Sequence, residues 1–206
     1  MHVLFVCSGN VCRSAIAERL TRSLAVEYAL THLTAESAGT RALVGFPIEP
    51  LAAQAMVGLG ADPSGFRARR LRPELIDRAD IVLAMTEQIR DQAIELAFDA
   101  KPRIFTLLEA SRIAHVTGAR TVAELHHARN DLQLVGRENI ADPSGLSAEA
   151  VCEVSDRIAE ALIPLLRALT PEEQPHSPDD AHRGLVIRPD TPATPSAAFL
   201  AAQRSR

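Results

Sequence analysis

The sequence has no tryptophan and a single tyrosine, and aromatic residues make up only 3% of its 206 residues. Its apolar content of 47% is therefore carried mainly by aliphatic side chains, which suffices for the core of one ordinary domain. No run approaches the ~18 apolar residues of a membrane span, and the N-terminus lacks the basic and then apolar pattern of a signal peptide. We therefore expect a soluble protein without a membrane partner.

Cysteine is also scarce, since the chain has only Cys7, Cys12 and Cys152. Three cysteines are too few for a disulfide framework, so we expect reduced thiols and a cytoplasmic location. Cys152 falls within the apolar pattern of the last predicted helix and is expected to pack in the core. The net charge of −4 argues against a general nucleic-acid binder.

Strands alternate with helices along most of the chain. Buried strands are predicted over 2–6, 34–37, 80–85 and 102–107. Helices are predicted directly after Arg13 and over 50–59, 87–97, 121–129 and 147–169. This order predicts an α/β fold with a parallel sheet covered on both faces.

Two regions break the alternation. Residues 109–140 are expected to form a long connection, with the helix at 121–129 inside it, that borders the active-site mouth. Residues 170–206 are rich in proline, serine and aspartate and are predicted to be a disordered tail. The expected organisation is one domain over 1–169 with an extended insertion at 109–140, followed by the tail.

The loop between the first strand and the first helix carries the strongest chemical pattern. Its residues are Cys7, Ser8, Gly9, Asn10, Val11, Cys12, Arg13 and Ser14. Backbone N–H groups and the helix dipole favour an anion at such a position, and Arg13 would add a bidentate fork. The same positive environment favours the thiolate of Cys7, while Ser14 is placed to donate a hydrogen bond to the sulfur. The alternative is a buried structural cysteine in a helix-capping turn.

A second candidate site residue is Asp142, which precedes Pro143. By its local pattern this dipeptide indicates a turn before the last helix. If the anion held by the loop is a phosphate ester, its hydrolysis would need a proton for the leaving oxygen and a base for the attacking water, and a carboxyl group near Cys7 would supply both.

The segment from Val6 to Ser14 resembles the signature of low-molecular-weight protein tyrosine phosphatases. The similarity covers roughly residues 2–166 and includes 37–40, 67–69, 79–85 and Asp142-Pro143. The resemblance implies a flavodoxin-like three-layer α/β/α fold with a four-stranded parallel sheet. It also implies hydrolysis of phosphotyrosine on proteins through a cysteinyl-phosphate intermediate, without a metal or an organic cofactor.

The resemblance also implies a role for each residue that matches a functional position of the family. The resemblance implies that Cys7 is the nucleophile, that Arg13 clamps the phosphate and that Asp142 is the general acid. Asn10 and Ser37 match positions that hold the phosphate loop in shape. Cys12 matches a position whose thiol forms a protective disulfide with the nucleophile.

Some positions depart from the family. Phe66 stands where a histidine is frequent, so a hydrogen bond that supports the loop is either missing or supplied by another group. Ser144 and Gly145 replace aromatic residues after Asp-Pro, which removes a wall for a phenol ring. Val11 stands where relatives that act on phosphoarginine carry threonine, which favours phosphotyrosine over phosphoarginine. His115, His126 and His127 are interpreted as solvated side chains rather than a metal site.

Three other functions remain open at this stage: a protein-arginine phosphatase, an arsenate reductase on the same fold, and a phosphate-binding module without turnover. The chain has no cysteine over 70–100, where thioredoxin-coupled arsenate reductases carry their relay. The expected partner is a phosphorylated protein. By analogy with the family, a bacterial tyrosine kinase is one candidate.

Overall fold

Four short strands form one parallel sheet in the computed structural model, which describes residues 1–131 and 139–170. The strands are β1 (His2–Cys7), β2 (Thr34–Gly39), β3 (Ile81–Ala84) and β4 (Ile104–Thr106). Their order in the sheet is β2-β1-β3-β4, and every neighbouring pair is parallel. The predicted four-stranded parallel sheet is confirmed.

Seven α-helices are found within the described ranges. They are α1 (Arg13–Glu27), α2 (Pro50–Gly58), α3 (Pro73–Arg78), α4 (Glu87–Leu96), α5 (Leu107–Thr117), α6 (Val122–Asp131) and α7 (Ala148–Leu169). A 3-10 helix (Phe98–Arg103) precedes β4. None of the helices that the structure describes is long and apolar enough to cross a membrane.

The helices form two layers around the sheet. Helices α1, α2 and α5 pack against α7, while α3 and α4 contact the strands. Helix α2, although it lies between β2 and β3 in the chain, also contacts α1 and so belongs to the same layer as α1 and α7. The strand order changes direction at β1, so the carboxyl end of β1 is the topological switch point where α/β proteins bind ligands.

The core is centred on β1. Val3, Leu4, Phe5 and Val6 are fully buried, because β1 has a strand on each side and helices on both faces. Phe5 lies in register with Leu83, and Leu83 lies in register with Phe105. Burial of each such side chain contributes about 1.5–3 kcal/mol, so the end of β1 is a firm base for the loop that follows.

Several sequence-based expectations need correction. The strand predicted over 102–107 is only three residues long, because the 3-10 helix takes up the chain as far as Arg103. The connection at 109–140 contains most of α5 as well as α6, and α3 was not predicted. Cys152 is exposed rather than buried. The predicted tail from residue 171 onward and residues 132–138 of the connection lie outside the described residues.

Candidate active site

The phosphate loop, residues 7–13, joins the end of β1 to the start of α1. Asn10 adopts a positive φ of 57°, a conformation that asparagine tolerates better than most residues. This turn brings the Asn10 backbone N–H to 3.2 Å from the Cys7 Sγ atom. Cys7 itself is only 2% exposed.

The segment after β2 supports the loop from outside. The loop carbonyl oxygens accept hydrogen bonds from backbone N–H groups of this segment: Thr40 to Cys7, Arg41 to Ser8, Leu43 to Gly9, and Glu49 to Val11. Because the carbonyl oxygens of the loop already accept hydrogen bonds from this segment, the backbone N–H groups of the loop are left to face an anion. A Cβ atom at Gly39 would lie 2.4 Å from the Ser8 oxygen, so only glycine fits at this contact.

Helix α1 begins directly after the loop. No side chain caps its first turn, and that turn carries no acidic residue. Its N-terminal N–H groups and the positive end of its dipole are therefore free to stabilise a negative charge beside Arg13.

A chain of side-chain hydrogen bonds leads away from Cys7. The Ser14 Oγ atom lies 2.9 Å from the Cys7 sulfur. The Asn10 amide nitrogen donates to Ser14 Oγ at 3.0 Å and to Ser37 Oγ at 2.8 Å. Asn10, Ser14 and Ser37 are all at most 1% exposed, so water does not compete with these bonds. The structure thus brings the three predicted supporting residues together with Cys7.

Arg13 connects the phosphate loop to the segment that carries Asp142. Its guanidinium donates to the Ile140 backbone oxygen at 3.0 Å and to the Asp142 carboxylate at 2.5 Å. Arg13 is buried, whereas the Asp142 side chain is 48% exposed. The Ser144 hydroxyl and backbone N–H donate to the other Asp142 oxygen.

The acid segment, residues 139–142, is attached to the end of β3 and the start of α4. The Ile140 backbone N–H donates to the Met85 oxygen at 2.8 Å. Asn139 and Glu87 exchange two hydrogen bonds, with the Glu87 N–H donating to the Asn139 side chain at 2.7 Å and the Asn139 amide donating to the Glu87 carboxylate at 3.2 Å. This clasp sets where Asp142 enters the site.

Cys12 and Val11 lie behind the loop rather than in the opening. Cys12 is 4% exposed, and Val11 is 5% exposed and packs in the core. Burial, with a further contribution from the Glu49 carboxylate and from Cys7, raises the pKa of the Cys12 thiol to about 12. Cys12 is therefore a neutral thiol at physiological pH.

A cleft of about 590 Å³ opens above the loop. Its walls come from Ser8 and Arg13, from Thr40 and Arg41, from 86–89 with Gln92, and from the acid segment. None of these lining residues is aromatic, in keeping with the absence of aromatic residues after Asp142. Only the end of the 109–140 connection, Asn139 and Ile140, reaches the cleft among the described residues.

Sequence reasoning missed several polar residues around the site. Glu87 and Asn139 carried no local signal, because their pairing joins distant segments. Glu18 is buried beside Ser37, and the spacing of four residues from Ser14 to Glu18 to Arg22 could have placed it on the same helix face. The three histidines form no metal-binding group in the described part of the chain.

Comparison with known proteins agrees with this geometry. The family model "Low molecular weight phosphotyrosine protein phosphatase" matches residues 2–175. The "Probable low molecular weight protein-tyrosine-phosphatase EpsP" of Ralstonia nicotianae is 32% identical over 171 residues, which span 81% of this chain and 97% of that protein. EpsP of Ralstonia solanacearum is 42% identical over 83 residues, 40% of this chain and 54% of that protein.

Solved structures show the same fold. A structure of YwlE arginine phosphatase, a cysteine-to-serine mutant with a phosphorylated active-site serine, superposes with a TM-score of 0.66 at 27% identity. The match covers 84% of this chain and 98% of that one. The family model matches most of the chain, and the phosphate loop and the parallel sheet agree with that match. This chain therefore belongs to the low-molecular-weight protein tyrosine phosphatase family.

Proposed function

We propose that the protein hydrolyses phosphotyrosine on proteins in two steps, with Cys7 as nucleophile, Arg13 as phosphate clamp and Asp142 as general acid and base. One observation carries the proposal. Arg13 and Asp142, 129 positions apart in sequence, are held together at the mouth of the loop that contains the buried Cys7 sulfur.

In the first step the Cys7 thiolate attacks phosphorus in line with the ester oxygen. The sulfur–phosphorus bond forms and the phosphorus–oxygen bond breaks, while Asp142 gives its proton to the leaving oxygen. Loop N–H groups and the Arg13 guanidinium stabilise the charge on the three other phosphate oxygens.

In the second step water attacks the phosphorus of the cysteinyl phosphate. Asp142, now a carboxylate, takes a proton from the water as the sulfur–phosphorus bond breaks. The departing Cys7 thiolate receives a hydrogen bond from Ser14, whose hydroxyl lies 2.9 Å away. Inorganic phosphate and the starting enzyme result. The half-exposed position of Asp142 allows its proton to exchange with solvent between steps.

Protein-arginine phosphatase is the second candidate function. The likeness to YwlE arginine phosphatase favours it, and so does the cleft wall, which presents the Glu87 carboxylate and no aromatic face. We prefer tyrosine because Val11 of the phosphate loop, which packs in the core, is apolar at the position where relatives that act on phosphoarginine carry threonine. Peptides that carry phosphotyrosine or phosphoarginine in one sequence context decide between the two by the ratio of kcat/KM.

The mechanism is tested by hydrolysis of p-nitrophenyl phosphate against pH, without added metal. Turnover should be lost in Cys7→Ser, which removes the nucleophile, and strongly slowed in Asp142→Ala, which removes the group that gives and takes the proton. Cys152→Ser, which changes an exposed cysteine, is the matched control and should retain activity. A folded wild-type protein without turnover would instead favour an arsenate reductase or a phosphate-binding module.

The partner and the location are part of the same proposal. We infer a phosphorylated protein as substrate, with a bacterial tyrosine kinase as one candidate by analogy with the family. A cytoplasmic location suits the chemistry, because the free cysteines Cys7 and Cys12 must stay reduced for turnover. Trapping substrates with Cys7→Ser, followed by mass spectrometry of the bound proteins, would identify the partner.

A further inference from the structure

Arg41 lies at the mouth of the cleft, and the two-step reaction does not use its side chain. Its backbone N–H donates to the Ser8 backbone oxygen at 3.0 Å, and its side-chain Nε atom donates to the Ser8 hydroxyl oxygen at 3.3 Å. The backbone bond alone ties this segment to the phosphate loop, so the tie does not require an arginine. The side chain is exposed and forms part of the cleft wall.

Four charged side chains line the cleft, and Arg41 differs from the other three. Arg13 and Asp142 pair with each other, and the Glu87 carboxylate accepts a hydrogen bond from the Asn139 amide. Within the described ranges no carboxylate pairs with Arg41, whose side chain bonds to the Ser8 hydroxyl alone. Its two terminal guanidinium nitrogens are therefore available to a ligand in the cleft.

The depth of the site determines which part of a substrate meets Arg41. Cys7 is only 2% exposed at the end of β1, so the phosphorylated side chain must reach down into the loop. The backbone of the substrate and the residues beside the phosphorylated one then stay at the mouth. There they lie between the wall of residues 40–41 and the wall of residues 86–92. Arg41 is on the first wall and Glu87 is on the second, so a charged neighbouring residue is attracted to one wall and repelled by the other.

We propose that Arg41 is a specificity-determining residue that binds an acidic side chain directly next to the phosphorylated residue of the substrate. A planar guanidinium matches a carboxylate through two parallel N–H···O bonds, which an arginine with free terminal nitrogens can form. The substrate class is then a phosphorylated segment with an acidic neighbour. The inference rests on the proposed function, because it concerns the substrate of the same site.

A second clamp on the phosphate itself is the alternative role for Arg41. The phosphate already has the loop N–H groups and the Arg13 guanidinium around it. The Arg41 side chain instead bonds to the Ser8 hydroxyl and is exposed at the rim, whereas Arg13 is buried. This placement favours contact with a neighbouring residue of the substrate. The two roles differ in which substrates lose activity when Arg41 is replaced.

The test compares two phosphotyrosine peptides that differ only in the residue beside phosphotyrosine, which is glutamate in one and glutamine in the other. The exchange is made in turn on the amino-terminal and on the carboxyl-terminal side. We expect the wild-type protein to prefer the glutamate peptide by about three- to fivefold in kcat/KM on one of these sides, as an exposed ion pair allows. The preference should shrink as the ionic strength rises, because salt screens such a pair.

Arg41→Gln should bring this ratio to about one, and Arg41→Glu should reverse it in favour of a peptide with lysine at the same position. Arg70→Gln is the matched control, because it removes the same charge from a nearby exposed side chain that contacts the Thr40 backbone oxygen and does not line the cleft. It should keep the wild-type ratio. An unchanged ratio in Arg41→Gln, or an equal loss of preference in Arg70→Gln, would overturn the proposal. An equal fall for both peptides and for p-nitrophenyl phosphate would also overturn it, since Arg41 would then bind the phosphate.

Peptides that carry a non-hydrolysable phosphonate in place of the phosphate separate this inference from the proposed function. Their dissociation constants depend on binding alone, so the preference for glutamate and its loss in Arg41→Gln should persist in a protein that does not turn over. A protein that binds with this preference but hydrolyses no phosphate ester would contradict only the proposed function. A protein that hydrolyses phosphotyrosine peptides without the preference would contradict only the role of Arg41.

Discussion

The phosphate loop and the acid segment face each other across the cleft but are built differently. Most of the loop is buried, and it is held by backbone bonds from the 40–49 segment and by the side chains of Asn10, Ser14 and Ser37. The acid segment is held by one backbone bond to Met85, by the Glu87–Asn139 clasp and by Arg13, and its aspartate is half exposed.

The difference matches two chemical tasks. A nucleophile gains from being fixed in place, because its charge must be stabilised before the substrate arrives. A general acid must exchange protons with solvent and move between Arg13 and the leaving oxygen. Rigid burial of Asp142 would hinder both, so the looser attachment suits the proposed role of Asp142 as general acid.

The largest loss of activity is expected from a substitution of Asp142. Asp142→Asn keeps the shape of the side chain but removes its proton transfer, so kcat for phosphotyrosine should fall by about 10²–10⁴-fold. The fall should be much smaller for an ester of a strongly acidic phenol, whose leaving oxygen needs no proton. A plot of kcat against the acidity of the leaving group checks this, and equal losses for all esters would contradict the role of Asp142.

The second-largest loss of activity is expected at Gly39, which contacts the phosphate loop at the Ser8 oxygen. In Gly39→Ala the new Cβ atom would meet the Ser8 oxygen at 2.4 Å, so the loop must shift. We expect kcat/KM to fall by roughly tenfold or more, since a small misplacement of reacting groups is costly. Gly58→Ala is the control, because a Cβ atom there meets open space. Equal activity of the two variants would show that the loop is less rigid than its contacts suggest.

A smaller effect is expected from the clasp. Asn139→Ala removes the side chain that exchanges hydrogen bonds with Glu87. The acid segment should become less ordered, and kcat should fall by about three- to tenfold while the KM changes little. Gln92→Ala, another residue of the cleft wall, serves as the comparison. A change confined to KM would mean that Asn139 contacts substrate instead.

The smallest effect on turnover is expected at Cys12, whose proposed role is protection. Peroxide converts the Cys7 thiolate to a sulfenic acid, and the Cys12 thiol then displaces water to form a disulfide that a dithiol reduces. Cys12→Ser should turn over normally but fail to recover after peroxide. Because the pKa of Cys12 is raised to about 12, disulfide formation should speed up as the pH rises. Equal recovery of Cys12→Ser and wild type would exclude the protective role.

The sequence predicted the parts of the molecule that are local in the chain. A buried strand, a loop with Gly9 and Asn10, and an amphipathic helix define the phosphate loop without reference to distant residues. Helix α5 was missed because its start follows a strand that was predicted too long. Thr106 and Glu109 form a capping box that marks this start in the sequence.

Contacts between distant segments could not be predicted in this way. The exposed position of Cys152 shows why, since it lies about 100° around α7 from the buried Val151, where the helix face turns away from the core. The Ser37–Glu18 bond and the Glu87–Asn139 clasp likewise depend on how elements pack. An apolar or polar pattern along one element does not specify its partner on another.

The lining of the cleft has a consequence for how this family diversifies. One continuous loop binds the phosphate, whereas the surface available to the rest of the substrate comes from three separate segments around residues 40–41, 86–92 and 139–142. Substitutions in those segments can change substrate preference while the bond-breaking apparatus is inherited intact. Because phosphate binding and substrate selection lie in separate segments, one fold can serve both tyrosine phosphatases and arginine phosphatases.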